Sequence, residues 1–192
     1  MSDILCVTNR KLCEGDFLQR IEAIAKAPKK PQAMILREKD LSEEAYFLLA
    51  QKVIAICNAQ SVEVILHSFV GVAMKLNHTA IHLPIPVLKG LSEKERRTFS
   101  VLGASCHSVE EAVLAEKLGC TYLVAGHIFE TDCKRGIAGR GLVFLKEVCD
   151  SVQIPVYGIG GVNEKNLPML VRAGAKGGCM MSGFMKTGSE QL

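Results

Sequence analysis

The sequence predicts a single compact (β/α)8 TIM barrel, an α/β fold, on three observations. Short β-rich apolar runs recur eight times along 192 residues, helical stretches separate them, and polar and glycine residues cluster just after many of the runs. Near-continuous apolar runs are expected of parallel strands covered by helices. An open doubly wound sheet would share that alternation but would gather its special residues at one switch point. Barrels distribute them over many strand ends.

The strands are read at residues 4–9, 33–38, 62–67, 80–84, 102–107, 122–127, 155–160 and 177–182. After the first, Phe17, Ile21, Ile24 and Ala25 repeat at helical spacing. After the second, Ala45, Leu48, Leu49, Val53 and Ile56 share one helical face, behind a cap at Asp40 or Ser42. The third connection has room only for a short helix near residues 70–76. Ser92 with Glu95, and Ser108 with Glu111, have capping-box spacing. No linker, repeat or low-complexity stretch divides the chain, so residues 1–192 are read as one domain.

Composition narrows the function classes. A net charge of +3 with no basic run argues against nucleic acid and membrane partners. No secretory leader pattern opens the chain, and no apolar run approaches the ~20 residues that span a bilayer. The eight cysteines include no CxxC pair, and Cys57, Cys120, Cys149 and Cys179 sit inside apolar runs. They are expected to be reduced thiols of a cytoplasmic protein.

The strand ends supply the chemistry. Gly160-Gly161 after the seventh strand and Ser182-Gly183 after the eighth could present backbone N–H groups to a phosphate, as those two loops of a barrel often do. Arg37 and Lys39 alternate with Glu38, so both cations should point to one side of an extended chain end, toward an anion or into a rim salt bridge. His67, His82, His107 and His127 lie within or at the ends of strands three to six. A metal site is disfavoured, because no His-x-His pair and few strand-end carboxylates accompany them. Residues 127–141 form a long loop with four basic residues and three glycines, a composition common in loops that close over ligands.

At these residues the chain resembles the thiamin phosphate synthase superfamily, and within it the TenI branch of thiazole tautomerases. The anchors are Leu36-Arg-Glu-Lys-Asp-Leu-Ser42, Ser105-Cys-His-Ser-Val-Glu-Glu-Ala112, Gly126-His-Ile-Phe-Glu-Thr-Asp-Cys-Lys134, Gly158-Ile-Gly-Gly161 and Met181-Ser-Gly183. The departures bear on the branch. Synthases carry an Asn-Asp pair after strand three whose Asp holds magnesium; His67 and Ser68 stand there. Their second magnesium-binding Asp, after strand four, has no counterpart in residues 84–87, and Ile35 replaces a pyrimidine-contacting Gln.

The resemblance therefore implies a metal-independent, cofactor-free isomerase that moves one proton on a small phosphorylated thiazole. His127 is implied as its acid–base group, with Cys106 and Cys133 as competitors. Phosphate is implied to rest on Gly160, Gly161, Ser182 and Gly183, with Met181 and Ser105 in the same anchor segments. Thr131, Asp132 and Cys133 occupy a ligand-contacting stretch. Arg37, Lys39 and Lys134 match residues that hold the pyrimidine pyrophosphate in synthases. Self-association is common in such barrels and is expected here. Two other readings stay open: thiamin phosphate synthase itself, and a non-catalytic ligand-binding regulator.

Overall fold

A computed structural model of the chain describes residues 3–131, 136 and 138–186. Eight parallel strands close into a barrel in chain order. They are β1 (Asp3–Val7), β2 (Ala33–Leu36), β3 (Glu63–His67), β4 (Ala80–Pro84), β5 (Val101–Cys106), β6 (Tyr122–Gly126), β7 (Val156–Ile159) and β8 (Gly177–Met180). Closure is made by β1 against β8, with Leu5 opposite Cys179. The expected TIM barrel is what the chain forms.

Helices α1 (Phe17–Lys26), α2 (Glu43–Asn58), α3 (Val70–Lys75), α4 (Ile85–Gly90), α5 (Glu93–Arg96), α6 (Val109–Lys117), α7 (Gly141–Ser151), α8 (Leu167–Arg172) and α9 (Ser182–Met185) fill the connections. Their starts follow local chemistry. Ser42 Oγ accepts from Ala45 N–H at the head of α2, and Ser92 with Glu95 completes a capping box on α5. At α6 only half of that box forms: Ser108 Oγ accepts from Glu111 N–H, whereas the Glu111 carboxylate turns to the His107 N–H (2.6 Å). No helix among the described residues is long and apolar enough to cross a membrane.

Alternation along each strand sorts two cores. Leu5, Val7, Ala33, Ile35, Tyr122 and Val124 fill the barrel interior. Cys6, Met34, Leu36, Leu123 and Ala125, one residue out of phase, pack outward under the helices. Several strands stop short of the apolar runs that predict them. The terminal residues of those runs leave the ladder to make the rim: Arg37 N–H bonds to Thr8 Oγ1 (2.9 Å) instead of continuing β2.

Candidate active site

A cavity of about 390 Å³ opens among the carboxyl ends of the strands. Val7, Ile35, Val124 and Ile159 form apolar wall; Arg37 and Lys39 enter from the end of β2; His67, His82, Ser105 and His107 stand on β3 to β5 and just beyond. The glycine loops close the other side, with Gly160, Gly161, Met181 and Ser182 on the lining. His127 and Thr131 also reach it. The expected site residues thus converge, with three qualifications. Gly183 lies in α9 beside Ser182 but off the lining. Asp132, Cys133 and Lys134 lie outside the described residues. Cys106, the competing acid–base group, is fully buried against the helices, and burial pushes its thiol up to about 12. It cannot exchange protons near neutral pH.

The glycines at 160 and 161 are required. Both have left-handed backbones (φ 100° and 64°), and a Cβ would meet His127 Cβ or Glu130 O at 2.4 Å. Only hydrogen side chains let this loop pass beside the sixth strand's loop and keep its backbone on the cavity.

The Arg37-Glu38-Lys39-Asp40 segment divides by charge. Glu38, 2% exposed, accepts from the Thr8 hydroxyl (2.7 Å), the Arg10 N–H (3.0 Å) and Arg10 Nη1 (3.1 Å). Asp40 takes both Nη atoms of Arg10 (2.7 and 2.8 Å) and Lys11 Nζ (2.8 Å). Hydrogen bonds from Arg10, then Lys11, hold the Asp40 carboxyl well below the usual range. Both acids are thus committed to the β1–α1 connection. Among the described residues Arg37 and Lys39 form no ion pair, and the two acids beside them in sequence are taken by Arg10. Burial, and then repulsion by Arg37, lowers the Lys39 pKa. Two like charges facing one cavity call for an anion.

The histidine wall is neutral. Burial, the facing His82 ring and then Lys39 and Arg37 bring His67 down to about 2; burial and the same two cations bring His82 to about 3. His67 Nδ1 is bonded to Ser68 Oγ (2.7 Å), and both nitrogens of His82 are taken, by the Tyr122 hydroxyl (2.9 Å) and Ser105 Oγ (2.8 Å). These histidines are legible in the sequence; their hydrogen-bond partners are not. Tyr46 of α2 sets the height of this wall: its hydroxyl donates to Leu36 O (2.6 Å) and accepts from His67 N–H (2.9 Å), tying β2 to β3.

Magnesium, which the resemblance implies for synthases, is usually held by one or two carboxylates together with waters and substrate phosphates. No Asp or Glu among the described residues lines the cavity. Among the described residues no group of three His, Cys, Asp or Glu is placed to hold a metal ion. The cavity-lining donors are imidazoles already hydrogen-bonded, and the nearby Glu38 is fully engaged. The described donor set does not fit the ion.

Fold and site together define a barrel enzyme class: a closed parallel barrel whose strand ends enclose a small cup, cationic on one side and glycine-rimmed on another. A family model described as thiamine monophosphate synthase matches residues 4–184. The thiamine-phosphate synthase of Clostridium acetobutylicum is 34% identical over 185 residues, 93% of this chain and 85% of its own length. That of Fusobacterium nucleatum is 33% identical, with 95% and 88% covered. Thiamine phosphate pyrophosphorylase from Pyrococcus furiosus superimposes with a TM-score of 0.81 over 98% of this chain and 90% of its own, at 23% identity. The chain belongs to the thiamine monophosphate synthase family.

These relatives correct the isomerase expectation, because they are named synthases. The tautomerase reading leaned on residues 126–141 and on the missing acids. Arg37 and Lys39 line the cavity with no ion pair among the described residues, so positive charge is present there despite the missing acids. With that reading goes the role of His127 as an isomerase base.

Proposed function

We propose that the chain is a transferase of thiamin biosynthesis, joining a pyrimidine pyrophosphate to a thiazole phosphate and releasing pyrophosphate. The observation that carries this reading is the cationic pair Arg37 and Lys39, facing the same cavity as the Gly160-Gly161 loop while their neighbouring acids are held by Arg10. In the reaction, the carbon–oxygen bond to pyrophosphate breaks and its electron pair leaves on oxygen. The thiazole nitrogen supplies the pair for the new carbon–nitrogen bond. Negative charge grows on the leaving group, and the two cations stabilise it there. The thiazole phosphate takes the N–H groups around Gly161 and Ser182. The apolar wall of Val7, Ile35 and Val124 excludes water from the reacting carbon.

The test is direct. Purified protein mixed with both substrates should yield thiamin phosphate, and chelation with EDTA should leave the rate within about twofold, since no carboxylate among the described residues lines the cavity. No product with magnesium present would sink the reading.

A further inference from the structure

Three neighbouring strands meet at one level inside the barrel. His82 on β4 is opposite Gly103 on β5, and Gly103 is opposite Tyr122 on β6. Gly103 is the reason these side chains touch. A Cβ there would fall 2.1 Å from the Tyr122 ring, so the missing side chain lets the phenol cross β5 and reach His82 Nδ1 at 2.9 Å. His82 Nε2 then meets Ser105 Oγ at 2.8 Å, two residues further along β5 and on the cavity lining.

The proton directions along this chain follow by elimination. Tyr122 is 6% exposed, and burial holds its hydroxyl well above the usual phenol range, so it keeps its proton. Among the described residues that hydroxyl has no acceptor besides His82 Nδ1. Reversing the bond would strand a buried donor, which proteins avoid. Nδ1 therefore accepts. His82, 2% exposed beside two cations, is not doubly protonated, so its one proton sits on Nε2 and is donated to Ser105 Oγ. The serine proton is then left for the cavity.

We propose that Tyr122 and His82 are positioning residues that orient the Ser105 hydroxyl as a donor to an unprotonated ring nitrogen of the substrate's heterocycle. The ring geometry of the fold supports that ligand atom. In a closed circuit of eight strands β5 lies across from β1, whereas the cations just after β2 and the glycine loops after β7 and β8 flank β1. Charged ends of a ligand go to those loops, and its uncharged ring faces β5. The identity of the heterocycle, an aminopyrimidine, rests on the transferase reading; the proton order does not.

Nitrogen-15 NMR of histidine-labelled protein tests the order without any ligand. His82 should show a protonated Nε2 and an unprotonated Nδ1, and Tyr122→Phe should shift it toward mixed tautomers. An Nδ1-protonated His82 in the wild type would overturn the proposal. Calorimetry supplies the second arm, with pyrimidine pyrophosphate, benzyl pyrophosphate (no ring nitrogen) and inorganic pyrophosphate as probes. Wild type should favour the pyrimidine compound over the benzyl one by about tenfold. Ser105→Ala and Tyr122→Phe should each lose that preference while binding inorganic pyrophosphate as before. Equal affinity of wild type for the two organic probes, or full preference in Tyr122→Phe, overturns the proposal. Failure of inorganic pyrophosphate to bind any form would instead remove the transferase reading and leave the tautomer assignment standing.

Discussion

Lys39 and Arg37 bring two positive charges to one cavity, and burial, followed by repulsion from Arg37, lowers the Lys39 pKa. An anion bridging them removes that repulsion and gains charge-assisted hydrogen bonds. Arg37→Met and Lys39→Met should each weaken inorganic pyrophosphate binding by about tenfold, as expected for a hydrogen bond to a charged group. Calorimetry reads this, and unchanged affinity in both variants would show that the anion sits elsewhere. At Gly161 the constraint is steric. Gly161→Ala must hold φ 64° with its Cβ 2.4 Å from Glu130 O, so the loop has to shift. That variant should bind thiazole phosphate at least tenfold more weakly while pyrophosphate affinity, set across the cavity, changes little. Equal losses for both ligands would mean that the two anion sites are not separate.

At the scale of elements, the connection after β1 governs the charge of the one after β2. Arg10 does not line the cavity, yet its fork holds both acids that flank Lys39. Arg10→Met would free Asp40 and leave Glu38, buried, without its cation. We expect a stability loss of roughly 3 kcal/mol, in the range for breaking a buried pair. Pyrophosphate binding should also weaken several-fold, as the freed carboxylates turn to Arg37 and Lys39. Urea melts and calorimetry check the two effects separately. This contact also marks what the sequence could reveal. The alternation of Ser105 inward and Cys106 outward follows from period two and argues against a Cys106 base without coordinates. The eight apolar runs likewise locate the strands. Cross-strand register is another matter: nothing in one chain's sequence says that Gly103 stands between His82 and Tyr122, or that Arg10 outcompetes Arg37 for Glu38. The isomerase expectation, which the relatives overturn, rested on similarly partial information. Missing acids at residues 68 and 84–87 were visible, but the cations left unpaired by the β1–α1 connection were not.

For the whole molecule, the neutral histidine wall ties stability to pH. His67 and His82 are 4% and 2% exposed, and the folded protein holds them near 2 and 3, against about 6.5 in an unfolded chain. Between those values the unfolded chain takes up protons that the native state refuses, so stability rises with pH through the window. It is complete above about pH 6.5 and is lost progressively as pH falls toward 3. At pH 5 the gap of about 1.5 units corresponds to ~2 kcal/mol for each imidazole. The Asp40 carboxyl acts in the same sense at lower pH, but it lies at the exposed rim and solvent screens it. Urea unfolding should therefore give a stability at pH 5 about 4 kcal/mol below that at pH 7, and His67→Asn should roughly halve the difference whatever it does to stability at pH 7. A flat profile in the wild type would mean that the imidazoles charge in the folded state.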